Sequence, residues 1–534
     1  MIFDNSIKAV VQAGSFTDAE THAISTAATI LGVNLATGPE ARDSADAFII
    51  SASEKAHLSD LSIRGRPFLL FGDLGKAERT HANLTFGYSR GLPMALQGRT
   101  LSEKVPARGI EIAGSFIEPA VTSGEKVIWG LGEKDDRASF VVATPPPQLA
   151  PGQCFTAAFN GETFLDALPL WLFLRQLSPS ETRWQAPSLR ACLVADDPNL
   201  RFSKYGHVDY GKLVTYASMR PFHAAMAMVP LDGWSHSAGT ARLFRENTAS
   251  LSLLIHGNNH ANQELAAQLP DPERLGMIEQ SLQRMTALEK KAAVHVDRVM
   301  APPYGVCAPE TMRLLWRTGY EGMTTNRWSL WKHSPQETLP TDFGLRPADM
   351  LAGGLPVIPR YRFKSSIFQN ELHLAALLGQ PLLPYGHQQD FADDMREVKT
   401  AAESINALGP VRWMSMREIF ESNFETCEDG TTFRIRLFSR RVKGTLPRRC
   451  SMLSVELPPA AADWQTEIIV SAKDQPDRRI QGAKAVAELP EGSDFEVRLA
   501  ASNGSLPTGG ATARRQPKAI LRRLAAEARD RLRL

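Results

Sequence analysis

"LSLLIHGNNHANQEL", residues 251–265, is the stretch on which the reading turns. Leu251 to Ile255 is a continuous apolar run, the pattern of a short strand covered on both faces of a sheet. The chain turns polar at His256, and a second histidine, His260, follows after Gly-Asn-Asn and one more position. One helical turn apart, the two imidazoles would face the same side, a spacing that suits a shared metal ion. A histidine pair alone is also compatible with a plain polar loop.

Similar apolar runs recur on either side. From about Leu189 to about Ile419, "RACLVA", "AAMAMVP", "LSLLI", "DRVMAP", "GMTTN", "LPVIPR" and "QPLLPYGH" read as strands. Helical segments such as "ERLGMIEQSLQRMTALEKKA" and "PETMRLLWRTGY" lie between them. Seven strand candidates alternating with helices predict an α/β fold, a central seven-stranded (β/α) barrel, complete or incomplete, over residues 185–425. Chemistry in such barrels sits at the strand C-termini. "ADD", "HGNNH", "APPYG" and "PYGHQQ" all fall at that end of their strands.

Each of these ends carries groups with chemical use. Asp196 and Asp197 are adjacent carboxylates, which repel unless a cation separates their roles; an ion on one leaves the other free as a base. "VMAPPYG" supplies a rigid Pro-Pro turn expected to aim the Tyr304 backbone and ring inward. "LLPYGHQQDF" supplies His387, with Asp390 as a candidate acceptor for its ring. Arg360 and Arg362, in "LPVIPRYRF", fall on one side by the two-residue period and can position a base or a substrate.

In order, Asp-Asp, His-x3-His, Pro-Pro-Tyr and a late strand-end histidine resemble the motifs of the NodB-homology polysaccharide deacetylases, the fourth carbohydrate esterase family. The resemblance covers roughly the central two-fifths of the chain. It implies Asp196 as catalytic base, and Asp197, His256 and His260, converging from two neighbouring strand ends, as ligands of a divalent metal. It also implies the Tyr304 backbone N–H at the oxyanion and His387 as general acid. The chain departs from the family pattern at Pro198, where Gly is usual, and at Gly257, where Ser or Thr is usual. Ala301 stands where an arginine normally positions the base, and "NRWSLW" lacks the acid of the family's Asp-Trp motif. The ligand set suits Zn²⁺, with Fe²⁺, Co²⁺ and Ni²⁺ as alternatives.

The remaining chain frames this domain. Residues 1–150 alternate strand and helix, then become β-rich, and predict an open α/β domain of flavodoxin or amidotransferase-like type. Residues 430–502 are short alternating strands and predict a β-sandwich. Residues 503–534 read as a linker and a basic amphipathic helix with Leu521, Leu524, Ala528 and Leu532 on one face, docked on its own domain or on a partner subunit. A homo-oligomer through the terminal domains is one expectation.

Composition excludes several classes. At 534 residues several domains are expected, and 43% hydrophobic with 22% charged residues is a globular balance. A formal net charge of +2 carries no nucleic-acid footprint. The five cysteines are widely spaced with no CxxC pair, which fits a reducing compartment. No signal peptide or transmembrane run is read, so the expected location is cytoplasmic. The expected function is a metal-dependent hydrolase removing an acyl group, such as acetyl, from an amino sugar or glycan. The alternatives are a catalytically silent carbohydrate-binding protein and a glycoside hydrolase, which would need two carboxylates and no metal.

Overall fold

The structure, a computed structural model, describes residues 8–11, 16–37, 45–51, 66–72, 78–110, 117–134, 137–178, 184–333, 339–458, 466–501 and 517–532. The chain packs as two compact units of mixed α/β structure. One holds residues 1–185 with Leu339–Phe343 and Gln369–Leu377; the other holds the rest. The linker expected after residue 502 lies outside the described residues up to its last position, where the C-terminal helix begins.

The first unit is built on a nine-stranded sheet. Lys8–Val11, Asn34–Thr37, Ala47–Ser51, Phe68–Phe71 and Arg137–Val142 pair in parallel, and the strands beyond them pair antiparallel. Helix Asp18–Leu31 starts at Thr17 with a capping box, the Glu20 carboxylate accepting from the Thr17 N–H. The apolar segment around residue 170 forms helix Leu168–Leu177, in which nearly every side chain is buried.

In the second unit each of the seven predicted segments contains a strand. Their spatial order is Asp349–Leu351, Leu355–Pro359, Gly322–Thr325, Val299–Met300, Leu251–Ile255, Ala224–Met228, Leu193–Asp196, Pro384–Gly386, Tyr361–Arg362. All neighbours pair in parallel except the Asp349–Leu351 edge. Among the described residues, hydrogen bonding does not close this ladder into a barrel. The last parallel strand on one side, Leu355–Pro359, instead runs directly on into Tyr361–Arg362, the edge strand on the other. The Arg360 N–H donates to the Thr325 carbonyl on one side, and the Tyr361 N–H to the Leu383 carbonyl on the other. Arg360 is the seam.

Both faces of this sheet are covered, so its strands are apolar throughout rather than alternating. Leu193–Asp196, Ala224–Met228 and Leu355–Pro359 are buried at every position. Val194, Ala225, Ala227, Leu254 and Ile358 share a core with Met416, Ile419 and Phe420 of helix Met416–Glu421. Burying a side chain such as Leu254 contributes about 1.5–3 kcal/mol, which is what makes a polar residue at a strand end conspicuous.

After residue 423 two four-stranded sheets follow. Phe433 and Phe495, one from each sheet, approach with ring centroids 6.4 Å apart. Among the described residues, no helix is long and apolar enough to cross a membrane.

The C-terminal helix, Pro517–Leu532, differs from its sequence-based expectation. Leu521 and Leu524 are exposed, at 67% and 40%, and Ala528 is exposed as well. The side chain of Leu532 lies outside the described residues. The buried side is Ala519, Arg523, Glu527 and Asp530. The physical reason is that charged partners await it: Arg201 pairs with Glu527, and the Tyr205 hydroxyl lies 3.3 Å from Asp530.

Candidate metal centre

Asp196 closes strand Leu193–Asp196, and Asp197 leaves it with φ of 82°, its N–H donating to the Ala227 carbonyl at 3.1 Å. That positive φ turns the second carboxylate away from the first. His260 and Tyr304 also hold positive φ, 52° and 59°. Such backbone costs of order 1–3 kcal/mol each for a residue with a Cβ, and persists where the surroundings overdetermine it.

The surroundings of the His256–His260 loop do so. No helical turn joins the two histidines, contrary to the sequence-based expectation; the segment is an irregular loop. Glu264 organises it, its carboxylate accepting from the backbone N–H groups of Asn258, Asn259 and His260 at 2.7–3.0 Å. Gly257 has φ of 65°, and a Cβ there would lie 2.5 Å from Glu264 Oε1 and 2.6 Å from Pro303 Cγ. Arg284 fastens the loop from outside, donating to the side-chain oxygens of Asn258 and Asn259. The loop brings the two imidazole centroids to 5.1 Å.

The donor strands are not neighbours, as the sequence reading had them. Ala224–Met228 runs between the strands that lead to Asp197 and His256. The donors still converge: one ligand atom each from Asp197, His256 and His260 lies within 4.8 Å of the others. The ring Nδ1 of His256 is 2.7 Å from the Ala301 carbonyl, which fixes the tautomer and leaves Nε2 to act as a donor atom. Burial holds both imidazoles below their usual value, His260 at about 4, where His256 beside it adds to the effect. Two neutral imidazoles and one carboxylate are the chemistry a divalent ion of the zinc type requires, so the residues fit.

Asp196 is held differently. The Arg360 guanidinium forks onto it, Nη1 to Oδ1 at 2.6 Å and Nη2 to Oδ2 at 2.9 Å, with both side chains almost wholly buried. The guanidinium also lies 4.3 Å over the Tyr385 ring. Burial alone would raise the Asp196 carboxyl, but Arg360, joined by His256 and His387, outweighs it and holds the group below the usual carboxylate value. Arg362 does not share this role. It is half-exposed and pairs with Asp390 at 3.0 Å.

His387 follows strand Pro384–Gly386, is partly buried, and lies near enough to contribute to the lowering of both aspartates. Asp390 accepts from the His387 backbone N–H at 2.9 Å. The Tyr304 side chain is 58% exposed rather than buried, and its ring lies 5.5 Å from that of His260.

One residue at this centre escaped the sequence reading. Arg523 is buried, and it donates to Asp197 Oδ1 at 3.0 Å and to Asp232 Oδ2 at 2.7 Å. Burial would raise the Asp197 carboxyl, but Arg523 and the three histidines hold it at about 2. Beside it, Arg522 donates to the carbonyls of Asn259 and His260. The only signal in the sequence was the density of arginines in the last helix.

No protein-family model matches the chain, and no curated protein matches it. Among solved structures, it is similar to a Mycobacterium smegmatis protein described as a polysaccharide deacetylase. The identity is 14% and the TM-score 0.30, over 44% of this chain and 92% of that one. It is also similar to the Xyl-CE4 domain of a multidomain xylanase from the hindgut metagenome of Trinervitermes trinervoides, at 12% identity and TM-score 0.29, over 44% of this chain and 94% of that one. A family 4 carbohydrate esterase from Streptomyces lividans matches at 12% identity and TM-score 0.27, over 45% of this chain and 97% of that one.

Proposed function

We propose that the second unit is a metal-dependent hydrolase that removes an acyl group, such as acetyl, from an amino sugar or glycan. The observation that carries the reading is the convergence of Asp197, His256 and His260 beside a second, separately held carboxylate, Asp196. Asp197, His256 and His260 would hold the ion. A bound divalent ion, best Zn²⁺, would supply Lewis-acid polarisation of the acyl carbonyl.

The protein's own groups do the rest. Asp196, kept ionised by Arg360, accepts a proton from the attacking water. The same fork weakens it as a base, so its usefulness depends on position more than on basicity. The Tyr304 backbone N–H donates to the developing oxyanion. His387 delivers a proton to the leaving nitrogen, which an amide needs and an activated ester hardly does.

The test is metal content and acetate release together. Purified protein, stripped and then reloaded with Zn²⁺, is expected to hold one ion per chain and to release acetate from one of a panel of N- and O-acetylated sugars. His256→Ala with His260→Ala is expected to lose the ion, and Asp196→Asn to keep it while losing turnover by orders of magnitude. Full occupancy in the double histidine variant sinks the ligand assignment. A second reading, a silent carbohydrate-binding protein, draws support from the Arg523 guanidinium seated on Asp197. Sugar binding with no acetate release from any of the panel would favour it.

A further inference from the structure

The C-terminal helix lies on the candidate metal centre and is held there by charge. Arg523 reaches Asp197 and Asp232, Arg201 bridges Asp232 and Glu527, and Arg522 grips the carbonyls of the histidine loop. Its leucines at 521 and 524 contribute little to the docking, being exposed. The decisive atom is Asp197 Oδ1. It is the oxygen that faces His260 Nε2, at 3.5 Å, and it is also the oxygen that accepts from Arg523, at 3.0 Å. An ion shared by Asp197 and His260 through this oxygen would stand against a guanidinium of the same sign of charge, in a place with little water to screen them.

We propose that the C-terminal helix is a built-in plug: Arg523 and a divalent cation are alternative occupants of Asp197, so that helix docking and metal loading oppose each other. This rests on the metal-binding part of the reading above, not on the acyl chemistry. Asp232 gives the guanidinium its second anchor, and the Arg201–Glu527 pair holds the helix without touching the ligands. Loading the ion therefore releases Arg523 from Asp197 and loosens the helix, while a docked helix weakens the site for the ion.

The full chain is tested with Zn²⁺ alone. Zn²⁺ affinity is measured by competition with a chromophoric chelator, and backbone hydrogen exchange of residues 517–532 is followed with and without the ion. Arg523→Gln is expected to bind Zn²⁺ at least tenfold more tightly than the wild type. Glu527→Gln, which loosens the helix through Arg201, is expected to shift affinity the same way by less, and it covers the case in which the first variant folds poorly. Saturating Zn²⁺ should accelerate exchange in the helix of the wild type and leave it unchanged in His256→Ala/His260→Ala. Equal or weaker binding by both variants makes Arg523 a support for the ligand and overturns the plug alone. Unchanged exchange in zinc-loaded wild type overturns it too. Zinc bound by none of these proteins overturns the metal reading as well.

Discussion

Replacing Arg360 by Met separates the charge that holds Asp196 from the space it fills. Both side chains of the pair are only 3–4% exposed, joined by two charge-assisted hydrogen bonds. Removing one member of such a pair leaves a buried carboxylate without a partner, a loss of about 3–5 kcal/mol. The cost depends on pH in a defined direction. In the wild type the folded Asp196 carboxyl is lowered, so its contribution is present above the unfolded value of about 3.9 and lost as pH falls through the lower folded value. In the variant the strongest lowering cause is gone, and burial raises the group. Its penalty then accumulates as pH rises from about 4 through that raised value. Urea unfolding of chelator-treated protein should therefore show a wide stability gap at pH 8 and a narrower one at pH 4.5. Adding Asp196→Asn to Arg360→Met should recover much of the loss, because the amide leaves no charge stranded. A gap below about 1 kcal/mol at pH 8, or one of equal size at both pH values, would refute this account of the pair.

Two further predictions concern single groups. Asp297 is buried, accepts from the Arg417 backbone N–H, and is pushed up to about 7 chiefly by burial. Its contribution is fully present below the unfolded value of about 3.9 and lost as pH rises through about 7, at up to roughly 1.4 kcal/mol per unit. Asp297→Asn should flatten the fall in urea midpoint between pH 5 and pH 8, and an unchanged slope counts against it. His387→Ala should keep its zinc yet lose most turnover on amides and far less on activated esters, measured as kcat on matched substrates. Equal losses on both would make His387 a positioning residue.

Much of the centre was legible because strands buried on both faces are apolar throughout, so a charged residue at their ends stands out. Asp196, His256 and His387 each end such a run. The local geometry was less legible. A spacing of four suggested a helical turn at His256 and His260, whereas Gly257 and Glu264 build a loop that no periodicity announces. The strand period put Arg360 and Arg362 on one side, but the chain changes ladder partners between Pro359 and Tyr361, and only Arg360 turns inward. The last helix misled most. Its leucines formed an apolar stripe, yet the buried side is set by Asp197 and Asp232, 326 and 291 positions away from Arg523. Partnerships over such distances leave no trace in a local pattern.

The seam at Arg360 governs where this chain can be cut. Leu355 to Arg362 pairs with Gly322–Thr325 at its beginning and with Pro384–Gly386 at its end, so a split or circularly permuted chain opened inside it uncouples the two sides of the sheet that Arg360 joins. New termini placed at the turn of Ala352, Gly353 and Gly354, all with positive φ, sacrifice only a hairpin connection and keep Leu355 to Arg362 whole on one fragment. The guanidinium that steadies Asp196 would then travel with that fragment, and reassembly of two halves could be read directly from the return of a folded Asp196–Arg360 pair.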